Sequence, residues 1–234
     1  MIPIRDDNPT RRFPFATLML VAANVAVFVY MLTLPDSMLI RFLTDWAITP
    51  AHLIATPTSP RVLATLVTAM FIHGGWLHLG GNMLYLWIFG NNVEDALGPL
   101  KFTAFYLACG IIATLVHVFI QGPSEVPLLG ASGAIAGVLA AYLLLFPKAH
   151  VLVLIPIFFI VELARVPAAF VIGFWFVMQL IQGVGSVVPG AVGDGVAWWA
   201  HVGGFVAGLI LILPSRLMGG RRQRRGPSSF TTWR

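Results

Sequence analysis

The stretch LGASGAIAG, residues 129–137, places a single serine, Ser132, among small residues at the start of an apolar run. Gly133 and Gly137 lie four residues apart, so on a helix they share one face and let a neighbouring helix come close. A hydroxyl at the start of such a helix lies near whatever packs against that face. The stretch therefore predicts a closely packed helix that begins near Ser132, our candidate nucleophile.

Composition decides the environment of this helix. Apolar residues make up 58% of the 234 residues and charged residues only 10%, and the mean hydropathy is +0.88. Soluble domains carry about 25% charged residues. We therefore predict an all-α polytopic membrane protein. The single cysteine excludes an intramolecular disulfide framework.

Uncharged intervals predict where the chain crosses the membrane. Five of them exceed the roughly 20 residues that a helix needs to span the hydrocarbon core. They lie between Arg12 and Asp36, Lys101 and Glu125, Glu125 and Lys148, Arg165 and Asp194, and Asp194 and Arg216. A sixth span is predicted over residues 77–89, followed by a short polar loop at 91–99 in which Gly98 and Pro99 end one helix and start the next.

One apolar run does not fit a span. Residues 149–161 are too few to cross the membrane and include Pro156, so an interfacial loop or hairpin is predicted there. The predicted organisation is an N-terminal segment at 1–14, a six-transmembrane-helix domain at 15–215 and a basic tail at 216–234.

Basic residues predict the orientation. With six spans, twelve of the 14 Lys and Arg residues fall on the side of the termini, and only Arg41 and Arg61 fall on the other. Because basic residues near helix ends are retained on the cytoplasmic side, we expect both termini to be cytoplasmic, in a prokaryotic cell membrane. No cleavage-site pattern follows the first apolar run, which predicts that the first helix is retained.

A second polar patch lies in FIHGGWLHLGGN, residues 71–82. His78 and Asn82 are four apart, so on a helix they present two donors to one small volume. Packing hydrogen bonds alone would account for such a pair, but polar groups inside a membrane are costly and usually functional. The helical zinc motif needs two histidines four apart with a glutamate between them. His73 and His78 are five apart without a nearby acid, so we expect no metal.

The third patch lies in WWAHVGGFVAG, residues 198–208. Gly204 and Gly208 form another small face, and His201 lies close to the same side. If this face packs on the glycine face of the first stretch, the His201 ring comes within hydrogen-bond reach of the Ser132 hydroxyl. That is the geometry in which a base activates a serine.

Depth in the membrane also brings the patches together. Ser132 and His201 each lie seven residues after an outer-loop acid, Glu125 and Asp194, which is roughly 10 Å along a helix. The patch around His78 begins its helix from the same side. All three patches are therefore predicted to meet in one layer of the outer half of the membrane.

Taken together, these motifs resemble the rhomboid family of intramembrane serine proteases. The resemblance rests on GASG at 130–133, the His78 and Asn82 pair, and His201 followed by glycines, in this order on alternate predicted helices. It implies a six-helix bundle in which Ser132 is the nucleophile and His201 is the general base and later the acid, without an acidic third member. It also implies that His78, Asn82 and the Ser132 backbone N–H stabilise the oxyanion.

One position departs from the family pattern. Four residues after the nucleophile, some members carry an aromatic side chain that packs on the histidine ring, whereas this sequence has Ala136. Trp198 or Trp199 is a candidate to orient His201 instead. His73 also resembles a family position, and we assign it a supporting role.

The resemblance implies that the substrate is the transmembrane segment of another protein, unwound near its outer end and cut by water. It implies contact with the lipid bilayer, no cofactor and no nucleic-acid partner, and it leaves the oligomeric state open. Two other functions fit less well. An inactive relative that only binds membrane segments would lack the dyad, and a channel or transporter would show broken midplane helices or paired intramembrane charges.

Overall fold

The computed structural model describes residues 1–157, 160–186 and 196–219. Its elements in chain order are β1 (Ile2–Asp6), α1 (Phe15–Leu32), α2 (Asp36–Trp46), α3 (Pro50–Ala55), α4 (Pro60–Thr68), α5 (Trp76–Tyr85), α6 (Asn91–Leu97), α7 (Pro99–Gln121), α8 (Ser132–Leu145), β2 (His150–Ile157), β3 (Ile160–Pro167), α9 (Ala168–Ser186) and α10 (Trp198–Gly219). A 3-10 turn (Ala69–Phe71) follows α4, and a π-helical turn (Leu86–Gly90) joins α5 to α6.

Among the described residues, four helices are long and apolar enough to cross a membrane, namely α1, α7, α9 and the first 18 residues of α10. They coincide with the first, third, fifth and sixth predicted spans. Charged side chains are costly in the hydrocarbon core, which is why the uncharged intervals locate these helices well. The predicted class, an all-α membrane bundle, is confirmed.

The second and fourth predicted spans have different shapes. Residues 60–71 and the continuous helix from Trp76 to Leu97 form a pair bent by 83°. Helix α8 has 14 residues, or about 21 Å of length, against a hydrocarbon core of about 30 Å. In the part of the chain that the structure describes, length and composition thus support four spans, or five with the bent pair. The count of six stays a prediction.

The predicted loop at residues 91–99 is wrong over most of its length. The second helix continues through the π-helical turn into α6 and ends only at Leu97. The predicted stop itself is confirmed, because Gly98 follows α6 with a φ of 81° and Pro99 is the first residue of α7. Polarity is misleading here because two of the polar side chains of α6, Asn92 and Glu94, are buried.

The buried carboxylate of Glu94 shows how that polarity is accommodated. It accepts hydrogen bonds from the backbone N–H groups of Ala16 (2.8 Å) and Thr17 (2.7 Å) and from the Thr17 hydroxyl (2.8 Å). These N–H groups belong to the first turn of α1, whose N-cap, Pro14, makes no side-chain capping bond. The first N–H groups of a helix have no hydrogen-bond acceptor within the helix. In α1 the carboxylate of Glu94, from α6, is that acceptor.

A three-stranded sheet in the order β1-β2-β3 accompanies the helices. β2 and β3 are antiparallel, with His150 opposite Pro167, so a hairpin is present as predicted, but it extends past the predicted bounds of 149–161 to Pro167. β1 pairs antiparallel with β2, with Ile2 opposite Leu154. Strand β1 is not predicted from the sequence, because its segment IPIRD lacks a clear period of two and its partner is about 150 residues away.

Helix α8 lies at the centre of the bundle, and all of its residues from Gly133 to Tyr142 are buried. A Cβ on Gly204 would collide with the carbonyl oxygen of Gly133, and a Cβ on Gly208 would collide with that of Gly137. The predicted packing of the two glycine faces is therefore confirmed. It holds the start of α10 beside the start of α8.

Two predicted segments lie partly outside the described residues. Residues 187–195, between α9 and α10, include Asp194, on which part of the depth argument depends. The basic tail lies outside from residue 220 onward, and α10 continues to Gly219, past the predicted boundary at 215.

Candidate active site

Ser132 is the first residue of α8 and follows an extended segment that is fixed on two sides. The backbone of Leu128 donates to Ile48 (2.7 Å) and accepts from it (3.2 Å). The Gly130 N–H donates to the carbonyl oxygen of Ala69 (2.9 Å). Gly130 has a φ of 114°, a conformation that glycine adopts readily and other residues avoid. The backbone thus sets the turn that presents Ser132.

The Ser132 hydroxyl lies 2.7 Å from Nε2 of His201. His201 is in the first turn of α10, and its exposed fraction is only 8%. The close crossing of α8 and α10 brings the two side chains together, as the glycine faces predict. Trp198, one of the residues proposed to orient the ring, contacts it edge-on at a centroid distance of 5.9 Å, and Trp175 contacts it at 5.8 Å.

Gln179 on α9 binds the other nitrogen of the ring. Its Oε1 lies 2.7 Å from Nδ1 of His201. An amide oxygen only accepts hydrogen bonds, so Nδ1 donates, and Nε2 is then free to accept from the Ser132 hydroxyl. Sequence reasoning missed this residue. A glutamine in the middle of an apolar span was the available signal, because polar groups there are usually functional.

His78 and Asn82 lie on α5 and both line the cleft beside Ser132. Nδ1 of His78 accepts from the Gly74 N–H (3.4 Å), which leaves Nε2 as the donor of the ring. That nitrogen faces Gly130, because a Cβ built there would lie 2.7 Å from it. Asn82 donates to the carbonyl oxygen of His78 (2.8 Å) and is 8% exposed.

His73 lies behind His78. Its ring is buried and packs edge-on against the His78 ring, with centroids 4.9 Å apart and planes at 66°. It does not line the cleft. The three patches found in the sequence therefore meet at one place, with His78, Asn82, Ser132 and His201 at the cleft and His73 packed against one of them.

The cleft has a volume of about 880 Å³. Its polar residues lie together with apolar walls that include Trp76 and Leu77 of α5 and Trp175 of α9. Trp76 and Leu77 are exposed to 67% and 94%, so the mouth of the cleft is apolar. A cleft of this shape suits an apolar chain segment that places one peptide group against the polar residues.

Helix α8 contributes its amino end to the cleft. Its N-cap is Ala131, which makes no side-chain capping bond. The N–H groups of the first turn lack partners within the helix, and the partial positive charge there favours an anion. Ser132 thus combines a hydroxyl beside an imidazole with a backbone donor.

Within residues 1–157, 160–186 and 196–219, no group of three or more histidine, cysteine, aspartate or glutamate side chains could hold a metal ion. In particular, His73 and His78 lie side by side without an acidic residue to complete a metal site.

Comparison with known proteins supports what the geometry suggests. The family model of the Rhomboid domain matches residues 60–216. The chain is 30% identical over 220 residues to Rhomboid protein 1, mitochondrial, of Saccharomyces cerevisiae, covering 88% of this chain and 55% of that protein. It is 31% identical over 147 residues to the bovine (Bos taurus) Presenilin-associated rhomboid-like protein, mitochondrial, covering 59% of this chain and 35% of that protein.

A shorter match, 36% identical over 78 residues, is to RHOMBOID-like protein 5 of Arabidopsis thaliana, covering 33% of this chain and 25% of that protein. The chain thus spans between a quarter and about half of the length of these relatives. Two of their names refer to mitochondria, so the expected prokaryotic cell membrane is not supported. With the Rhomboid domain matched over residues 60–216 on a bundle of membrane-spanning helices, the chain is a multi-pass membrane protein of the rhomboid family.

Proposed function

We propose that this protein is an intramembrane serine endopeptidase that cuts the transmembrane segments of other membrane proteins. The observation that carries the proposal is the 2.7 Å contact between the Ser132 hydroxyl and Nε2 of His201 in a cleft that both residues line. A serine is a weak nucleophile unless a base removes its proton. Here the base lies at hydrogen-bond distance with its accepting nitrogen toward the hydroxyl.

In the first step, the oxygen of Ser132 attacks the carbonyl carbon of the peptide bond and its proton passes to Nε2 of His201. His201 then gives that proton to the leaving amine, and an acyl-serine remains. Water attacks the acyl group in the second step, and the proton again passes through His201 before Ser132 is released. One imidazole thus acts first as base and then as acid in each step.

The negative charge that forms on the carbonyl oxygen needs donors. We assign this role to the Ser132 backbone N–H, to Nε2 of His78 and to the side chain of Asn82. The first lies at the amino end of α8, and the other two line the same cleft from α5. Preorganised donors of this kind are worth about 3 to 4 kcal/mol each in a site of low dielectric constant. His73 supports the set by packing on His78.

The substrate is a membrane segment because the cleft is bounded by exposed apolar side chains of α5 and by α9. A peptide bond inside a stable helix cannot reach the serine, so helix-breaking residues near the cut should favour cleavage. We also infer from the basic residues that the termini and the sheet lie on the side of the membrane opposite the cleft, which puts the cut near the outer face.

The test is cleavage of a labelled transmembrane substrate in liposomes. We expect the wild-type chain to cut, and Ser132→Ala and His201→Ala to lose activity by at least about 10³-fold, as removal of a nucleophile or its base does in serine hydrolases. Matched controls are Ser37→Ala and His52→Ala, which replace exposed residues of the same types on α2 and α3.

A fluorophosphonate probe supplies an independent reading. It should label the wild-type chain at Ser132, as located by mass spectrometry, and should not label Ser132→Ala. Equal cleavage by the wild type and both dyad variants would contradict the assignment of the dyad. A folded wild-type chain that neither cuts nor reacts with the probe would point instead to an inactive relative that binds membrane segments.

A further inference from the structure

Gln179 is the one buried polar side chain of α9 within residues 168–186. It is 6% exposed, and both ends of its amide are engaged. Nε2 donates to the carbonyl oxygen of Trp175 one turn earlier on the same helix (3.1 Å), and Oε1 lies 2.7 Å from Nδ1 of His201. Because Nε2 is held by α9 itself, the amide oxygen is fixed toward His201.

The contact with Gln179 determines which nitrogen of the His201 ring carries the proton. A neutral imidazole carries its proton on either nitrogen, and only the form protonated on Nδ1 can accept the proton of Ser132 on Nε2. Trp175 and Trp198 restrict the tilt of the ring by contact, but such packing of rings does not by itself choose between the two forms. The amide oxygen does choose, because it accepts a hydrogen bond from Nδ1 and cannot donate one.

We propose that Gln179 is the positioning residue of the dyad, which holds His201 in the tautomer and orientation that activate Ser132. The inference rests on the proposed function, since it assigns a task in that reaction. It also answers the question left by Ala136, because the ring is fixed by a hydrogen bond from α9 and not by an aromatic side chain of α8.

A purely structural role has to be separated from this one. Gln179 also helps to join α9 to α10, so its loss would loosen the contact between the two helices. The same pair of helices is joined by Phe176 and Phe205, whose rings stack at 4.2 Å with planes at 22°. Phe176→Leu therefore weakens the α9–α10 contact without touching His201 and serves as the matched control.

The experiment compares Gln179→Met and Gln179→Glu with the wild type in liposomes. Methionine has a similar length but no acceptor for Nδ1. We expect kcat to fall about 10- to 100-fold with KM nearly unchanged, the size expected for one lost buried hydrogen bond to a reacting group. The rate of fluorophosphonate labelling at Ser132 should fall by a similar factor, because it reports activation of the hydroxyl without entry of a membrane substrate.

Gln179→Glu is the rescue variant. In this buried position a protonated carboxyl can donate to the carbonyl oxygen of Trp175 and accept from Nδ1 of His201, as the amide does. We expect its kcat and labelling rate to lie within about threefold of the wild type, a difference below 1 kcal/mol. Phe176→Leu should retain the wild-type labelling rate. Thermal unfolding in detergent checks that each variant is folded.

The outcomes separate the two proposals. If the wild type neither cuts nor is labelled, the proposed function fails. If the wild type is active and folded Gln179→Met is equally active, the positioning role alone is wrong. The positioning role is also wrong if Gln179→Glu and Phe176→Leu are both as slow as Gln179→Met, because the effect is then one of helix packing. Should Gln179→Met not fold, Gln179→Asn takes its place, since it keeps the amide but ends one methylene short of Nδ1.

Discussion

Gly130 lies so close to His78 that a Cβ on the glycine would sit 2.7 Å from Nε2 and 2.8 Å from Cε1 of the ring. The glycine also has a φ of 114°. Two separate reasons therefore exclude a side chain at this position, one of conformation and one of space. Both act two residues before Ser132, where the cleft is formed.

The first prediction concerns this contact. Gly130→Ala should push His78 away from the cleft and lower kcat by about 10²-fold, the loss typical of one oxyanion donor. The control is Gly122→Ala, at a φ of 75° with nothing within 4 Å of the added Cβ, which also has a positive φ but lacks the collision. Cleavage assays on both variants decide the point, and equal activities would show that the His78 contact is unimportant.

The second prediction concerns the crossing of α8 and α10. Gly204→Ala places a methyl group against the carbonyl oxygen of Gly133, so the helices must move apart. We expect a loss of about 1–3 kcal/mol in unfolding free energy, as for other overpacked cores. The distance between the Ser132 hydroxyl and the His201 ring should increase as the helices move apart.

Denaturant unfolding in detergent micelles, followed by circular dichroism, measures this loss. Gly173→Ala on α9 is the control, because nothing lies within 4 Å of its added Cβ. Its stability should be unchanged or slightly raised, since alanine favours helix over glycine by up to about 1 kcal/mol. If the two variants are equally stable, the glycine faces do not limit the packing.

The third prediction concerns Glu94. Glu94→Ala removes the carboxylate that accepts from Ala16 and Thr17 and leaves buried donors at the start of α1 without partners. The expected loss is about 3 kcal/mol. Asp95→Ala, next along α6, removes only an exposed contact with the Arg11 N–H and should cost below about 1 kcal/mol. Melting temperatures of the two variants would have to be similar for the capping role to be wrong.

The fourth prediction is a pH dependence at the sheet. The pKa of Asp7 is lowered from its ordinary 3.8 by the backbone hydrogen bond from His150 and by the side chain of Arg165. A carboxylate with a lowered pKa stabilises the fold above the unfolded-state value, and this contribution is lost as the pH falls through the folded-state pKa. Asp7→Asn should therefore destabilise the protein at neutral pH.

The difference between wild type and Asp7→Asn should vanish below the folded-state pKa of Asp7. Asp6 provides the contrast, because burial raises its pKa despite the hydrogen bond from Tyr142. Its protonation on acidification favours the folded state. Thermal unfolding from about pH 7 to about pH 2 measures both effects. A wild-type advantage over Asp7→Asn that is constant over this range would contradict the assignment.

Much of the fold follows from hydrophobicity alone. Burying a charge in lipid is costly, so the uncharged intervals locate α1, α7, α9 and α10. The glycines of the first and third patches predict which helices approach most closely. Hydrophobicity does not predict polar groups whose hydrogen-bond partners lie in distant parts of the chain. Glu94 resembles a loop residue in the sequence, because its three hydrogen-bond donors come from α1. Strand β1 cannot be recognised without its partner β2.

In the candidate site, too, some residues can be predicted from the sequence and others cannot. Ser132, His201, His78 and Asn82 can be found because each lies in a short motif of polar and small residues. Gln179 stands alone in a bulky apolar helix, and its partner is 22 residues further along the chain. Its importance depends on how two helices face each other, which spacing within one helix does not reveal.

The support of His201 by a residue from α9 has a consequence for control of the reaction. If substrates of the proposed protease enter by displacing α9, the amide of Gln179 moves away from the imidazole of His201, and the dyad regains this support only when the helix returns. A membrane protein that leaves the cleft before α9 returns would then not be cut.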